Sequence, residues 1–452
     1  MTGCPAAPPD NRLSFADQVM FLSLRATGQE PVAQAVWLYE RALDFDGLSR
    51  FHRNFGHGLM GRRIERSPLP FGRHRWVASE EPPSNIEIAE CARPRAELSD
   101  WADERAQLPI DPEWGPGWHI GVLPLTDGSN AVSLVISHCL ADGFGGFATV
   151  IDAVKGNVRD FGYPPPNSRT RLRAAASDLR ETARGVPEVA RTLVAAAKLV
   201  YARRRDFGQS RESRTTLISA AGADRNFVVP AITVYVDLED WDDRAKTLAG
   251  TSNSLLAGFA AKFAERMGRC ADDRAVTLYF PMSDRIPDDT RANAAILAHA
   301  SVDPMQVTTD LSDVRVAIRQ GLKMAREVPD PALQILPLTP FIPKRVVRRA
   351  ADALLTADLP VACSFLGDLD PAVGRVDGTD ADYVMLRGVD RHVTRQLLEK
   401  RRGLLTLVAG RITGKMSISI VAYQPGVENS KPLLRELVAH TLGQFDLTGV
   451  ID

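Results

Sequence analysis

An α/β architecture is predicted by three features of the sequence. Short apolar, β-branched runs at 131–136, 231–236, 275–281 and 294–302 alternate with stretches at helical spacing. The alternation comes in two halves. Between them lies a segment, 169–214, of distinctly basic and helical character. A chain of 452 residues exceeds one ordinary core, so two or three domains are expected. Hydrophobic content of 44% and charged content of 25% are those of a globular protein. A net charge of -1 argues against a nucleic-acid partner. Cys4, Cys91, Cys139, Cys270 and Cys363 show no paired spacing, which points to a reducing compartment and no metal site. The first eleven residues lack the regions of a signal peptide, and no apolar run approaches the ~20 residues of a membrane span. The expectation is therefore a cytoplasmic protein.

In chain order, 12–27 carries Phe15, Val19, Met20, Leu22 and Leu24 at mixed helical spacing. A loose alternation at 32–42 suggests a strand, and 46–60 a helix. Then 62–68 leads into a segment ending at Trp76. His52, His57 and His74 match no metal spacing and read as loop or surface residues. Residues 109–125 contain Gly115-Pro116-Gly117-Trp118 and then an apolar run. Asp127-Gly128 is a hairpin turn that would lay this run beside 131–137.

The stretch 131–150 is the most informative. A buried-strand pattern at 131–136 is followed by His138, Cys139, Asp142 and Gly143, then by Gly145, Gly146 and a return to helical spacing. His138 and Asp142 would thus sit where a strand turns into a helix, facing a cleft. A neutral imidazole can take a proton from a hydroxyl or amine, provided its other ring nitrogen is fixed by a hydrogen bond. A lone histidine is usually a satisfied core residue. The strand end and the following glycines favour function here. A nucleophile at Cys139 is disfavoured, because adjacent residues rarely aim one side chain at the other.

After a Pro- and Gly-containing break at 157–167, the segment 169–214 holds eleven Arg and one Lys against five acidic residues. Leu172, Leu179, Val186, Leu193 and Val200 recur every seven residues, a helical stripe with a basic outer face. Gly185 and Pro187 are expected to break it into two helices. The second half then reads as a strand at 231–236 and a helix at 254–267 capped by 251–253. Strands follow at 275–281 and 294–302, then an amphipathic helix at 310–327. A segment at 360–365 precedes a hairpin, 404–412 with 416–423, in which Ser417 and Ser419 alternate with Met416, Ile418 and Ile420. A helix at 431–445 closes the chain.

The string His138-x-x-x-Asp142-Gly143 resembles the signature of the CoA-dependent acyltransferase superfamily. That group includes peptide condensation domains, polyketide-associated acyltransferases and wax ester synthase/diacylglycerol acyltransferases. Many members carry two histidines in tandem; here Ser137 stands first and His138 second. Leu13-Ser14-Phe15-Ala16-Asp17 with Phe21, and Pro116-Gly117-Trp118, are similar to segments of the wax ester synthase-like branch. The Asp-Phe-Gly-Trp-Gly segment of many relatives is not visible; 364–368 lies where it would fall.

The resemblance implies two chloramphenicol-acetyltransferase-like lobes in a V with the active-site tunnel between them. The lobes would be 1–165 and 216–452, joined by a connector at 166–215. It implies His138 as general base, with Asp142 and Gly143 structural at the active site. Asp142 would pair with an arginine, for which Arg62 or Arg63 in Gly56–Arg63 is the nearest counterpart. No cofactor would be bound. The co-substrate would be an acyl-CoA or a phosphopantetheinyl acyl carrier, and the acceptor an alcohol or amine. The alternative is a non-catalytic relative that binds an acyl ligand or carrier protein. The basic stripe 169–214 and the cluster Lys344, Arg345, Arg348 and Arg349 are solvated faces, or else surfaces for a phosphate-bearing donor or a peripheral membrane contact.

Overall fold

In a computed structural model, residues 11–79, 85–206, 227–270, 274–328, 336–341 and 361–452 are described. The first half runs α1 (Phe15–Thr27), β1 (Glu30–Tyr39), α2 (Phe45–Phe55), β2 (Arg62–Glu65), β3 (Arg75–Ala78), β4 (Glu87–Ile88), α3 (Leu98–Gln107), β5 (Trp118–Pro124), β6 (Asn130–Ser137) and α4 (Gly143–Lys155). The long helix α5 (Arg171–Asp206) follows. The second half runs β7 (Ala231–Asp237), α6 (Leu238–Thr247), α7 (Ser252–Arg266), β8 (Val276–Ser283), β9 (Ala295–Val302), α8 (Ser312–Glu327), β10 (Val361–Asp368), β11 (Tyr383–Arg391), α9 (Arg395–Lys400), β12 (Leu404–Ile412), β13 (Lys415–Tyr423), α10 (Lys431–Gln444) and β14 (Val450–Ile451).

Two large mixed sheets result, with strand orders β11-β1-β6-β5-β4 and β14-β7-β13-β12-β10-β8-β9. The first takes an edge strand, β11, from the second half of the sequence. A division of the chain at residue 165 therefore does not coincide with the boundary of this sheet. Strand β11 also escapes the apolar pattern, because Arg387, Asp390 and Arg391 interrupt it. Two of these charges are buried and paired on one face of the sheet. Arg391 meets Glu30 at 2.8 Å, and Arg387 meets Asp103 of α3 at 2.7 Å. Arg387 also donates to Gln34, which donates to Ser133. The opposite face, Ala35, Trp37, Val132, Leu134, Ile136, Val384 and Leu386, packs on an apolar core with α2 and α4.

The second sheet buries Val234, Val236, Ile418 and Ile420 against α7, α8 and α10. Part of its other face is small and polar. Thr233 bonds Ser419 at 2.7 Å, and the Ser417 hydroxyl donates to the Val384 carbonyl of β11. The serine–isoleucine alternation of β13 thus separates a core face from a face that meets the first sheet.

The helix at 254–267 begins two residues early, with Thr251 and Ser254 forming a reciprocal capping box. The expected break at Gly185 and Pro187 is not found, since α5 continues through Pro187. Proline's φ is itself helical, and the loss of one N–H does not end the helix here. Among the described residues no helix is long and apolar enough to cross a membrane.

His74 is a second correction: it is buried, not a surface residue. Its Nδ1 accepts from the Ser67 amide at 3.2 Å, and its ring meets Phe21 edge-on. Burial, and then the nearby Arg66, hold its pKa down to about 4. His119 is also held at about 4, by burial and by Arg105, whose guanidinium lies 2.8 Å from Nδ1. An unfolded chain takes up these protons at about pH 6.5, before the folded one does. The stability these two histidines contribute should be complete above about pH 6.5 and fall between there and about pH 4. Each histidine contributes up to about 1.4 kcal/mol per pH unit inside that window. Urea unfolding of wild type and His74→Gln at several pH values tests this; an equally steep acid loss in the variant would remove His74 from the account.

Candidate functional site

Strand β6 ends at Ser137, and the chain turns through His138–Asp142 into α4. The turn is fastened at several points. The His138 amide donates to the Pro31 carbonyl at 3.1 Å, and the Asp142 amide donates to Ala292 at 2.8 Å. Ser137, in the first position of the tandem, turns inward and donates to Glu30 at 2.6 Å. Cys139 is fully buried, and burial raises its thiol pKa well above the ordinary range. A buried thiol held in its neutral form is a poor nucleophile.

His138 is half-buried, and its Nδ1 lies 2.8 Å from Asn293 Oδ1. The amide orientation of Asn293 is settled by its other contacts. Its Nδ2 donates to the His138 carbonyl and to Asp17 Oδ1, each at 3.2 Å. Oδ1 is therefore the acceptor, so Nδ1 carries a proton, and in the neutral ring Nε2 keeps the lone pair. Asp17 fixes Asn293 in turn by accepting its backbone amide at 2.8 Å, and it accepts the Ala292 amide at 3.1 Å. Asp17 is the acidic residue of the opening Leu13–Phe21 segment. That segment therefore braces α1 against the loop between β8 and β9.

The ionic partner of Asp142 is neither Arg62 nor Arg63, as the sequence suggested, but Arg285 from the end of β8. The two lie 2.9 Å apart, at 12% and 7% side-chain exposure. Asp142 Oδ1 also caps α4 by accepting the Gly145 amide, and Oδ2 accepts the Ala294 amide, each at 2.8 Å. Arg285 spends its remaining donors on the carbonyls of Arg291 and Ala292. Arg62 has a different task. Its guanidinium lies over Trp76, 3.7 Å from the ring centre, and donates to Leu140 O, Thr290 O and the Tyr163 hydroxyl. It thus holds the turn and the β8–β9 loop from below. Arg63 sits on β2, opposite Val77.

Of the glycines that follow Asp142, Gly145 is more tightly confined than Gly143. A Cβ on Gly143 would meet its nearest neighbours at 4.0 Å, an ordinary contact. On Gly145 it would come within 2.6 Å of the Arg285 guanidinium. The 364–368 segment is not a loop: it forms the end of β10, with a shift of register between Phe365 and Asp368.

Beside His138 the apolar face of the first sheet opens out. Pro31, Ala33, Gly388 and Asp390 share this face with Ile136 and are all half-buried. A Cβ on Gly388 would meet nothing within 4 Å, so space lies above it. Three small residues, Pro31, Ala33 and Gly388, therefore form a floor beside the turn that carries His138. A separate groove of about 540 Å³ lies between α7 and α8, lined by Asn253, Arg315, Arg319, Lys323 and Arg326 among others; it shares no residue with the His138 cluster. Among the described residues no three His, Cys, Asp or Glu side chains are grouped to hold a metal. The cluster Lys344, Arg345, Arg348 and Arg349 lies outside the described residues.

Removing Arg285 should leave Asp142 buried without its counter-charge. Arg285→Ala should cost about 3–5 kcal/mol of stability, the usual range for breaking a buried pair from one side. Gly145→Ala should lower the melting temperature too, by displacing the same guanidinium. Thermal unfolding of both variants checks this; wild-type melting in Arg285→Ala would show that the pair is not structural.

No protein-family model and no curated protein matches this sequence. Solved structures do resemble it in fold. The wax ester synthase/diacylglycerol acyltransferase from Marinobacter aquaeolei VT8 superposes with a TM-score of 0.53 at 14% identity, over 96% of this chain and 98% of that one. The trichothecene 15-O-acetyltransferase from Fusarium sporotrichioides gives 0.57 at 11%, over 96% and 94%. The first condensation domain of the calcium-dependent antibiotic synthetase, in complex with a substrate analogue, gives 0.54 at 14%, over 96% of each chain. The chain therefore shares the fold of these three proteins along nearly its whole length.

Proposed function

We propose that this protein is an acyltransferase, moving an acyl group from a thioester to a hydroxyl or amine with His138 as general base. The observation that carries the reading is the Nδ1–Asn293 hydrogen bond, which leaves Nε2 as a proton acceptor over an open floor of small residues. The acceptor's O–H or N–H gives its proton to Nε2 while its heteroatom attacks the thioester carbonyl. The tetrahedral intermediate then collapses. The C–S bond breaks, and the thiolate takes the proton back from the imidazolium. The products are an ester or amide and a free thiol. No acyl-enzyme is needed, in keeping with the burial of Cys139. Asp142 acts on structure, through Arg285 and the α4 cap.

The donor would be an acyl-CoA or an acyl group on a phosphopantetheinyl carrier protein. Similarity of fold to a wax ester synthase, an acetyltransferase and a condensation domain supports a thioester donor in general. Any docking of that donor, or of an anionic membrane, on the arginines of α5 is a separate matter of charge.

The test is release of free thiol from an acyl-CoA in the presence of an alcohol or an amine. His138→Ala should lower turnover by about 10²–10⁴, the usual worth of general base catalysis. Asn293→Ala should lower it by about 10–100-fold, the range seen when a partner orienting a metal-bound histidine is lost. Undiminished turnover in His138→Ala would remove the assignment. Acyl-CoA binding without thiol release from any acceptor would favour a non-catalytic acyl-binding protein.

A further inference from the structure

Asp390 has no part in the mechanism above, yet it lies beside the base. It stands opposite Pro31 in the β1–β11 ladder, and the His138 amide bonds to the Pro31 carbonyl on the other side. All three belong to the face that opens toward solvent, separated from Arg391 and Glu30 by the alternation of the strand. The charges that reach its carboxyl are those of Arg401 and His138. Among the described residues it accepts no hydrogen bond and makes no ion pair within 4 Å. Arg401 itself donates to Gln29 at 3.0 Å. The other acidic groups of this region are engaged: Glu30 by Arg391 and Ser137, Asp142 by Arg285, and Asp17 by Asn293. An uncommitted carboxyl in a recess, next to a base and a floor of small side chains, suits a ligand that brings its own positive charge.

We propose that Asp390 selects an amine as the acyl acceptor by pairing with its ammonium form beside His138. The inference rests on the acyltransferase reading and narrows its acceptor class. The chemistry gives the second carboxyl a use. An alcohol must lose one proton during attack, and one base suffices. An alkylammonium must lose two. The first goes to the Asp390 carboxylate and frees the nitrogen lone pair. The second goes to His138 Nε2 as the C–N bond forms, and then to the departing thiolate. Asp390 returns its proton to solvent. The sum is ammonium plus thioester giving amide, thiol and one proton. Burial raises the carboxyl's pKa, which makes it the better proton acceptor.

The experiment compares hexylammonium with 1-hexanol, first as ligands and then as acceptors. Binding is read by ligand-observed NMR on wild type, Asp390→Asn and Asp390→Glu, with no thioester present. Wild type should prefer hexylammonium to hexanol, and Asp390→Asn should lower that ratio at least about 10-fold. Asp390→Glu should restore it in part. With an acyl-CoA added, the ratio of amide to ester formation should follow the same order. Gly388→Val, which a strand accommodates readily, should weaken both ligands without changing their ratio. Equal losses of both ligands in Asp390→Asn would reduce the residue to scaffolding and overturn the proposal. So would a wild-type protein indifferent to the ammonium charge. Failure of the broader acyltransferase reading looks different: selective ammonium binding would persist, with no thiol released from either acceptor.

Discussion

The Asp142–Arg285 pair is the contact on which the site depends. Two opposite charges are withdrawn from water, which is costly unless nearly every lone pair and proton is used. Here the carboxylate accepts from Gly145, Ala294 and two guanidinium nitrogens, and the guanidinium reaches two further carbonyls. The pair joins the turn after β6 to the loop between β8 and β9. Asn293 lies in that loop, and Asn293 sets the His138 tautomer. A residue from the second half of the chain therefore determines which nitrogen of a first-half histidine is held by a hydrogen bond.

The parts that were legible in the sequence were those with local causes. The strand–turn–helix at 131–154 showed itself through its apolar run and glycines, and the Asp127-Gly128 turn fixed its hairpin partner. The capped helix at 252–266 and the hairpin of β12 and β13 had equally local signals. What could not be read were the pairings across long separations. Arg285 lies 143 residues from Asp142, and Asn293 lies 155 from His138. Arg285 gave one weak hint, as a charge just past the end of a strand. Arg62 was the more obvious choice by motif, and it does serve the site, but by stacking on Trp76 and holding carbonyls. Strand β11 was missed because its charges look like those of a surface loop, although Arg387 and Arg391 are buried and paired.

The two faces of the first sheet divide the work. One carries the buried polar network of Glu30, Gln34, Ser133, Arg387 and Arg391, closed by α3. The other is apolar beneath α2 and α4, then opens at Pro31, Ala33 and Gly388. Rigidity comes from the first face and space from the second. An imidazole on such a frame holds its orientation without being sealed in the core.

The crossing of β11 into the first sheet also bears on how the molecule is made. Its neighbour β1 occupies residues 30–39, and β11 arrives only at 383–391. During synthesis, β1 emerges with one side unpaired and waits while more than three hundred residues follow. Closing so long a loop is slow relative to local hairpins, and an unpaired edge is open to wrong partners meanwhile. The two halves are therefore obliged to mature together. A cut at the middle of the gene would leave the first sheet without its edge strand β11.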